Sequence, residues 1–140
     1  MNKILILIFL LLPFLSHSQI IDSTYNCDSI VVLKNAMDGH RDTIPYSSQI
    51  TFLPNRTVHI VQKTGSFIVR PHWNKVVMDT IINGTVRRGF ESAINGEYVI
   101  FGFRLKNGEL QSVGIMKQDY SMVVFLISKR RNNINASCHE

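Results

Sequence analysis

The sequence predicts an all-β protein, a single antiparallel meander of about eight strands that closes as a small up-and-down barrel or folds as a β-sandwich. Three observations predict it. From Gln49 onward, short runs of alternating apolar and polar residues are separated by turn signals at intervals too short for helices. Three Asn-Gly dipeptides, at Asn83-Gly84, Asn95-Gly96 and Asn107-Gly108, each stand between strand-like runs. Asn-Gly is the favoured two-residue hairpin turn because both central residues need positive φ. The run Met122 to Ile127 is apolar at every position, so both faces of that strand must be covered, as in a closed or two-layered sheet.

Residues 1–18 stand apart from this pattern. Lys3 supplies one positive charge, Ile4 to Leu15 is an apolar run broken only by Pro13, and Ser16-His17-Ser18 puts small residues at the two positions that a signal peptidase reads. The run is shorter than the roughly 20 residues of a spanning helix, and no second one follows. The expectation is a cleaved signal peptide at 1–18, a single all-β domain at 19–140, no transmembrane segment, and an exported protein, periplasmic or secreted. In an oxidising compartment, Cys27 and Cys138 would form one disulfide clamping the two ends of the domain. A loop of that length would add up to about 4–5 kcal/mol in the chain-entropy model.

Within the domain, residues 28–37 read two ways. Ile30, Leu33 and Met37 fit a helical stripe behind Asp28, whereas Val31-Val32 favour a strand, and strand is preferred. From Gln49 the strands fall at about residues 49–53, 57–63, 66–71, 76–82, 85–94, 97–106, 109–117 and 121–129. A turn at Pro54-Asn55 pairs Phe52 with Val58 and Ile50 with Ile60, with Thr51 and His59 on the other face. A turn at Thr64-Gly65 then brings Phe67 and Val69 onto the apolar face. Pro71-His72-Trp73-Asn74 reads as an interruption before Val76. Across Asn107-Gly108, Lys106 faces Glu109, Leu105 faces Leu110, Phe103 faces Ser112, Phe101 faces Gly114 and Val99 faces Met116. Turn chemistry and side-chain pairing thus agree. Phe52, Phe67, Phe101, Phe103 and Met116 point to one face and fill it.

A formal net charge of +5, 45% hydrophobic and 18% charged residues exclude a disordered chain, and eight Gly with four Pro exclude collagen-like repeats. The motifs of catalysis are absent. There is no Gly-x-Ser-x-Gly, no phosphate-cradling glycine loop and no His-Glu-x-x-His. His40, His59, His72 and His139 never recur at i, i+2 or i, i+4, so no metal site is predicted. Asp79, Glu91, Glu97 and Glu109 are the only acids on the predicted strands, and they form no convincing catalytic pair. The reading is a non-catalytic protein with no cofactor.

Two features remain as candidate binding groups. Across Asn83-Gly84, Asp79 falls opposite Arg88 in the middle of an apolar face, between the pairs Ile81 with Val86 and Val77 with Phe90. Either the register shifts near Arg87-Arg88-Gly89 and returns the charges to solvent, or the two form an inward ion pair lining a cavity. Trp73, the only tryptophan, caps a pocket mouth or closes one end of the core. Residues 19–65 balance four bases against four acids, whereas 66–140 carry ten bases against six acids, including Arg87-Arg88 and Lys129-Arg130-Arg131. Arg87, Arg88, Arg104 and Lys106 are therefore the candidate contacts for an envelope protein or an anionic glycan or lipid. Nucleic acid is not an expected partner, because export removes the protein from it and the bases are not interleaved with exposed aromatics.

The predicted architecture is similar to that of lipocalin-like and avidin-like barrels, whose interiors hold a small ligand, which makes a small-ligand carrier the alternative function. The Gly-x-Trp opening of lipocalins is absent, and one tryptophan falls short of an avidin pocket. Tyr25-Asn26-Cys27 with a distal cysteine also resembles periplasmic lysozyme inhibitors, but their Ser-Gly loop has no match. No family follows from the sequence.

Overall fold

A computed structural model describes residues 23–37 and 39–132, with side chains described through Ser128. The expected signal peptide and Cys138 lie outside the described residues. Eight antiparallel strands run in sequence order around a closed barrel: β1 (Ser23–Leu33), β2 (Asp42–Phe52), β3 (Val58–Gln62), β4 (Gly65–Ile82), β5 (Thr85–Ile94), β6 (Glu97–Lys106), β7 (Glu109–Met116) and β8 (Met122–Asn132). β1 closes the ring against β8, from Ser23 opposite Asn132 to Leu33 opposite Met122. The barrel form of the expected meander is the one adopted, and Met122 to Ile127 belongs to the strand that closes it.

These eight strands are not the eight delimited by sequence pattern. The ambiguous N-terminal segment is a strand, beginning five residues earlier than residue 28. The expected strands 66–71 and 76–82 are one strand, β4, although its pairing with β5 is irregular between Pro71 and Val76, where the sequence reads an interruption. Short β3 explains why a proline does not end it. β3 pairs with β4 only from Gly65 to Val69, so the missing N–H of Pro71 interrupts no β3–β4 rung. The same holds for Pro45 in β2, since β2 pairs with β3 only from Ser48 to Phe52. Both prolines stand where a neighbouring strand has run out, which is where a sheet tolerates them.

The predicted register holds at β2–β3 and β3–β4, where Phe52 meets Val58, Ile50 meets Ile60, and Phe67 and Val69 meet Ile60 and Val58. The three Asn-Gly turns form with both residues at positive φ, Asn83 at 50° and Gly84 at 77° for example, as type I′ geometry demands. Lys106 meets Glu109 and Leu105 meets Leu110, but a bulge follows. Phe103 then pairs with Val113 and Phe101 with Ile115 rather than with Ser112 and Gly114. Ile100, on the outer wall, is the residue opposite Met116, so Met116 is not one of the core residues. The extra residue in β7 returns Val113 and Ile115 to the interior.

Apolar side chains fill that interior, with Ile50, Val58, Ile60, Val69, Phe101 and Val113 fully enclosed. An aromatic chain crosses it: Tyr25 meets Phe52 at 5.9 Å between centroids, Phe52 meets Phe101 at 6.4 Å, Phe101 meets Trp73 at 6.3 Å, Trp73 meets Phe90 at 4.9 Å and Phe90 meets Phe103 at 5.8 Å. Most of these contacts are edge-to-face, the arrangement that the ring quadrupoles favour. An apolar interior is the reverse of the polar lumen of a membrane-spanning barrel. Among the described residues no helix is long and apolar enough to cross a membrane.

Cys27 is part of this core, only 1% exposed, at a bulge between β1 and β2. Burial pushes its thiol up to about 11. The facing Ser48 hydroxyl lowers it somewhat, and Asp28 raises it further. The Ser48 contact is weak, since its hydroxyl makes no hydrogen bond of ordinary geometry. Burial therefore prevails.

Candidate functional site

The β4–β5 hairpin extends beyond β3, which pairs with β4 only from Gly65 to Val69, and strand alternation sorts its charges onto two faces. On the outer face one cross-strand row reads Thr80, Arg87, Arg104 and the next reads Ile82, Thr85, Lys106. Together with Asn83 these residues line an open cup of about 390 Å³. Arg87 and Arg104 are direct cross-strand neighbours, a placement that like charges disfavour. Among the described residues, none of Arg87, Arg104 and Lys106 forms an ion pair with a carboxylate. Glu109 follows Lys106 across the next turn without contacting it as an ion pair.

Arg88 and Asp79 belong to the other face. They pair in the expected register, with Arg88 Nε donating to Asp79 Oδ1 at 3.3 Å. There is no shift at Arg87-Arg88-Gly89. The irregularities lie on β4 instead, between Pro71 and Val76 and again at Val77, which is bulged out so that Val76, not Val77, meets Phe90. Arg88 is in register with Phe103, on the core-facing side, yet it is 31% and Asp79 51% exposed. The pair borders the open end of the barrel rather than an enclosed cavity.

Trp73 closes the core at the same end. Its indole N–H donates to the Arg56 carbonyl at 2.9 Å, and its ring packs on Phe90 and Phe101. Of the six binding candidates, the structure thus brings Arg87, Arg104 and Lys106 together, pairs Arg88 with Asp79, and gives Trp73 to the core. Thr80, Ile82, Asn83 and Thr85 complete the cup. The sequence contained their signal, because a two-residue turn at Asn83-Gly84 sets Ile82 against Thr85 and Thr80 against Arg87.

The remaining reactive groups are dispersed. His59 is on β3, in a second open cup of about 320 Å³ with Arg70 and Asn95. His40 lies 3.7 Å from Asp42, and Glu91 lies 3.9 Å from Lys75. Among the described residues no three His, Cys, Asp or Glu side chains gather as a metal site would require. No protein-family model and no curated protein matches the chain.

Proposed function

We propose that this protein is an exported, non-catalytic binding module that captures an anionic partner of the cell envelope in the cup formed by β4, β5 and β6. The observation that carries the reading is the direct apposition of Arg87 and Arg104, with Lys106 beside them and, among the described residues, no carboxylate ion-paired with any of the three. Like charges placed together at a cost to the sheet are rational where a ligand supplies the opposite charge. Flanking Thr80 and Thr85 hydroxyls and the Asn83 amide add the donors that a phosphate, sulfate or carboxylate accepts from. The packed interior favours this reading over a small-ligand carrier, which needs space that the aromatic chain occupies.

Retention on immobilised heparin, a generic polyanion, tests it. Elution should move to lower salt when Arg87 and Arg104 are both replaced by Ser, and should stay near the wild-type position for Arg88→Ser, whose partner is Asp79. An Arg87→Ser/Arg104→Ser protein eluting with the wild type would overturn the assignment. Export is tested separately by the intact mass of secreted protein, which should begin at Gln19.

A further inference from the structure

Exposed apolar side chains stand beside the cup. Ile81 and Ile82, which precede the Asn83-Gly84 turn of the β4–β5 hairpin, are 68% and 66% exposed, and Val76, Val77 and Met78 of the same strand are 50%, 45% and 45% exposed, a run of exposed apolar side chains of the kind that marks a contact surface. The tip is firmly held: the Asn107 N–H donates to the Gly84 carbonyl at 3.2 Å, tying the β4–β5 and β6–β7 turns side by side. Ile82 shares its row with Lys106, and Arg87 and Arg104 form the row behind. Two strand residues separate the rows, or about 7 Å. An interfacial protein inserts its apolar groups by about 5–10 Å beneath the phosphates. With Ile82 at that depth, Arg87 and Arg104 would stand at the phosphate level, where anionic headgroups attract them, and Lys106, level with Ile82, would reach back to it along its apolar stem.

We infer that the partner of the cup is an anionic lipid surface, entered by Ile81 and Ile82 at the hairpin tip and gripped by Arg87, Arg104 and Lys106. The inference rests on the anionic-partner reading of the cup and adds the apolar insertion. Asp79, on the opposite face with Ile81, is neutralised by Arg88; Glu109 faces Lys106 across the β6–β7 turn, and it opposes the attraction of Lys106 alone.

The test is co-sedimentation of the full chain with vesicles, either equimolar phosphatidylglycerol and phosphatidylcholine or phosphatidylcholine alone. Binding is expected to the anionic vesicles only, weakening as salt rises. The Ile81→Ser variant should partition about tenfold less well, yet elute from heparin with the wild type, because Ile81 does not line the cup. Arg87→Ser/Arg104→Ser should lose both activities. Heparin retention without vesicle binding would overturn the lipid inference and leave the cup reading intact. Full vesicle binding by the isoleucine variant would overturn the insertion. Concentration-dependent self-association that the serine substitutions abolish, with no vesicle binding, would assign the tip to a second copy of the chain instead. Circular dichroism confirms that each variant retains the barrel.

Discussion

Whether the barrel is solid decides between a surface binder and a carrier, and Phe101 is the residue that tests it. Phe101 is fully enclosed, with edge contacts to Phe52 and Trp73 at 6.4 and 6.3 Å. Phe101→Ala removes a ring at the centre of the aromatic chain, from which the surrounding strands cannot retreat without breaking the closed ladder. The expected cost is about 3–5 kcal/mol for a phenylalanine truncated in a close-packed core, of which each lost aromatic pair accounts for roughly 0.5–1.5 kcal/mol. Against a total stability of about 5–15 kcal/mol for a domain of this kind, the loss is plain in a urea titration followed by circular dichroism. Phe67→Ala, at a position only partly buried, should cost less. A small apolar probe such as benzene should stabilise Phe101→Ala and leave the wild type unchanged, because only the variant has a dry cavity to fill. A cost under about 1 kcal/mol, or stabilisation of the wild type by the probe, would refute the packed-interior reasoning and return the carrier to favour.

Three further outcomes follow from particular contacts. The Cys27 thiol, raised from its ordinary 9.0 to about 11, stays neutral in the folded protein while the unfolded thiol ionises. Reduced protein should therefore lose up to about 2–3 kcal/mol of stability as pH rises from 9 through 11, and Cys27→Ala should lack that slope. Non-reducing peptide mapping of natively exported protein determines whether Cys27 is instead joined to Cys138. Asp79→Asn should cost under about 1 kcal/mol by chemical denaturation, because both partners of its ion pair are substantially solvated. Gly102→Ala should destabilise by about 1–3 kcal/mol, since a Cβ there would meet the Arg88 carbonyl oxygen at 3.0 Å, and backbone in a closed sheet has little freedom to move aside.

The fold was legible where turn chemistry and pairing act locally. Asn-Gly fixes a turn and hence the first rungs beside it, so Lys106 with Glu109, Ile81 with Val86 and Asp79 with Arg88 all stand as expected. The bulges at Gln111 in β7 and Val77 in β4 were not legible, because no proline, glycine or turn signal marks either position. Pro71 misled for a related reason: its meaning depends on whether β3 reaches that far, a tertiary fact. At the candidate site, charge alone selected Arg87, Arg88, Arg104 and Lys106 together. Alternation along β5 separates Arg88 from the others, and pairing across β5–β6 is what gathers the remaining three.

The β1–β8 seam makes the fold a ring in which the order of strands has no privileged start. Ser23 and Asn132 are cross-strand neighbours, so a short linker between them, with new ends cut at the Asn95-Gly96 turn, would give a circular permutant with every strand pairing retained. Such a permutant would place its new ends on the rim opposite the hairpin tips that carry Ile81, Ile82 and Lys106. A bulky tag could then be attached without crowding the surface on which binding is proposed to occur.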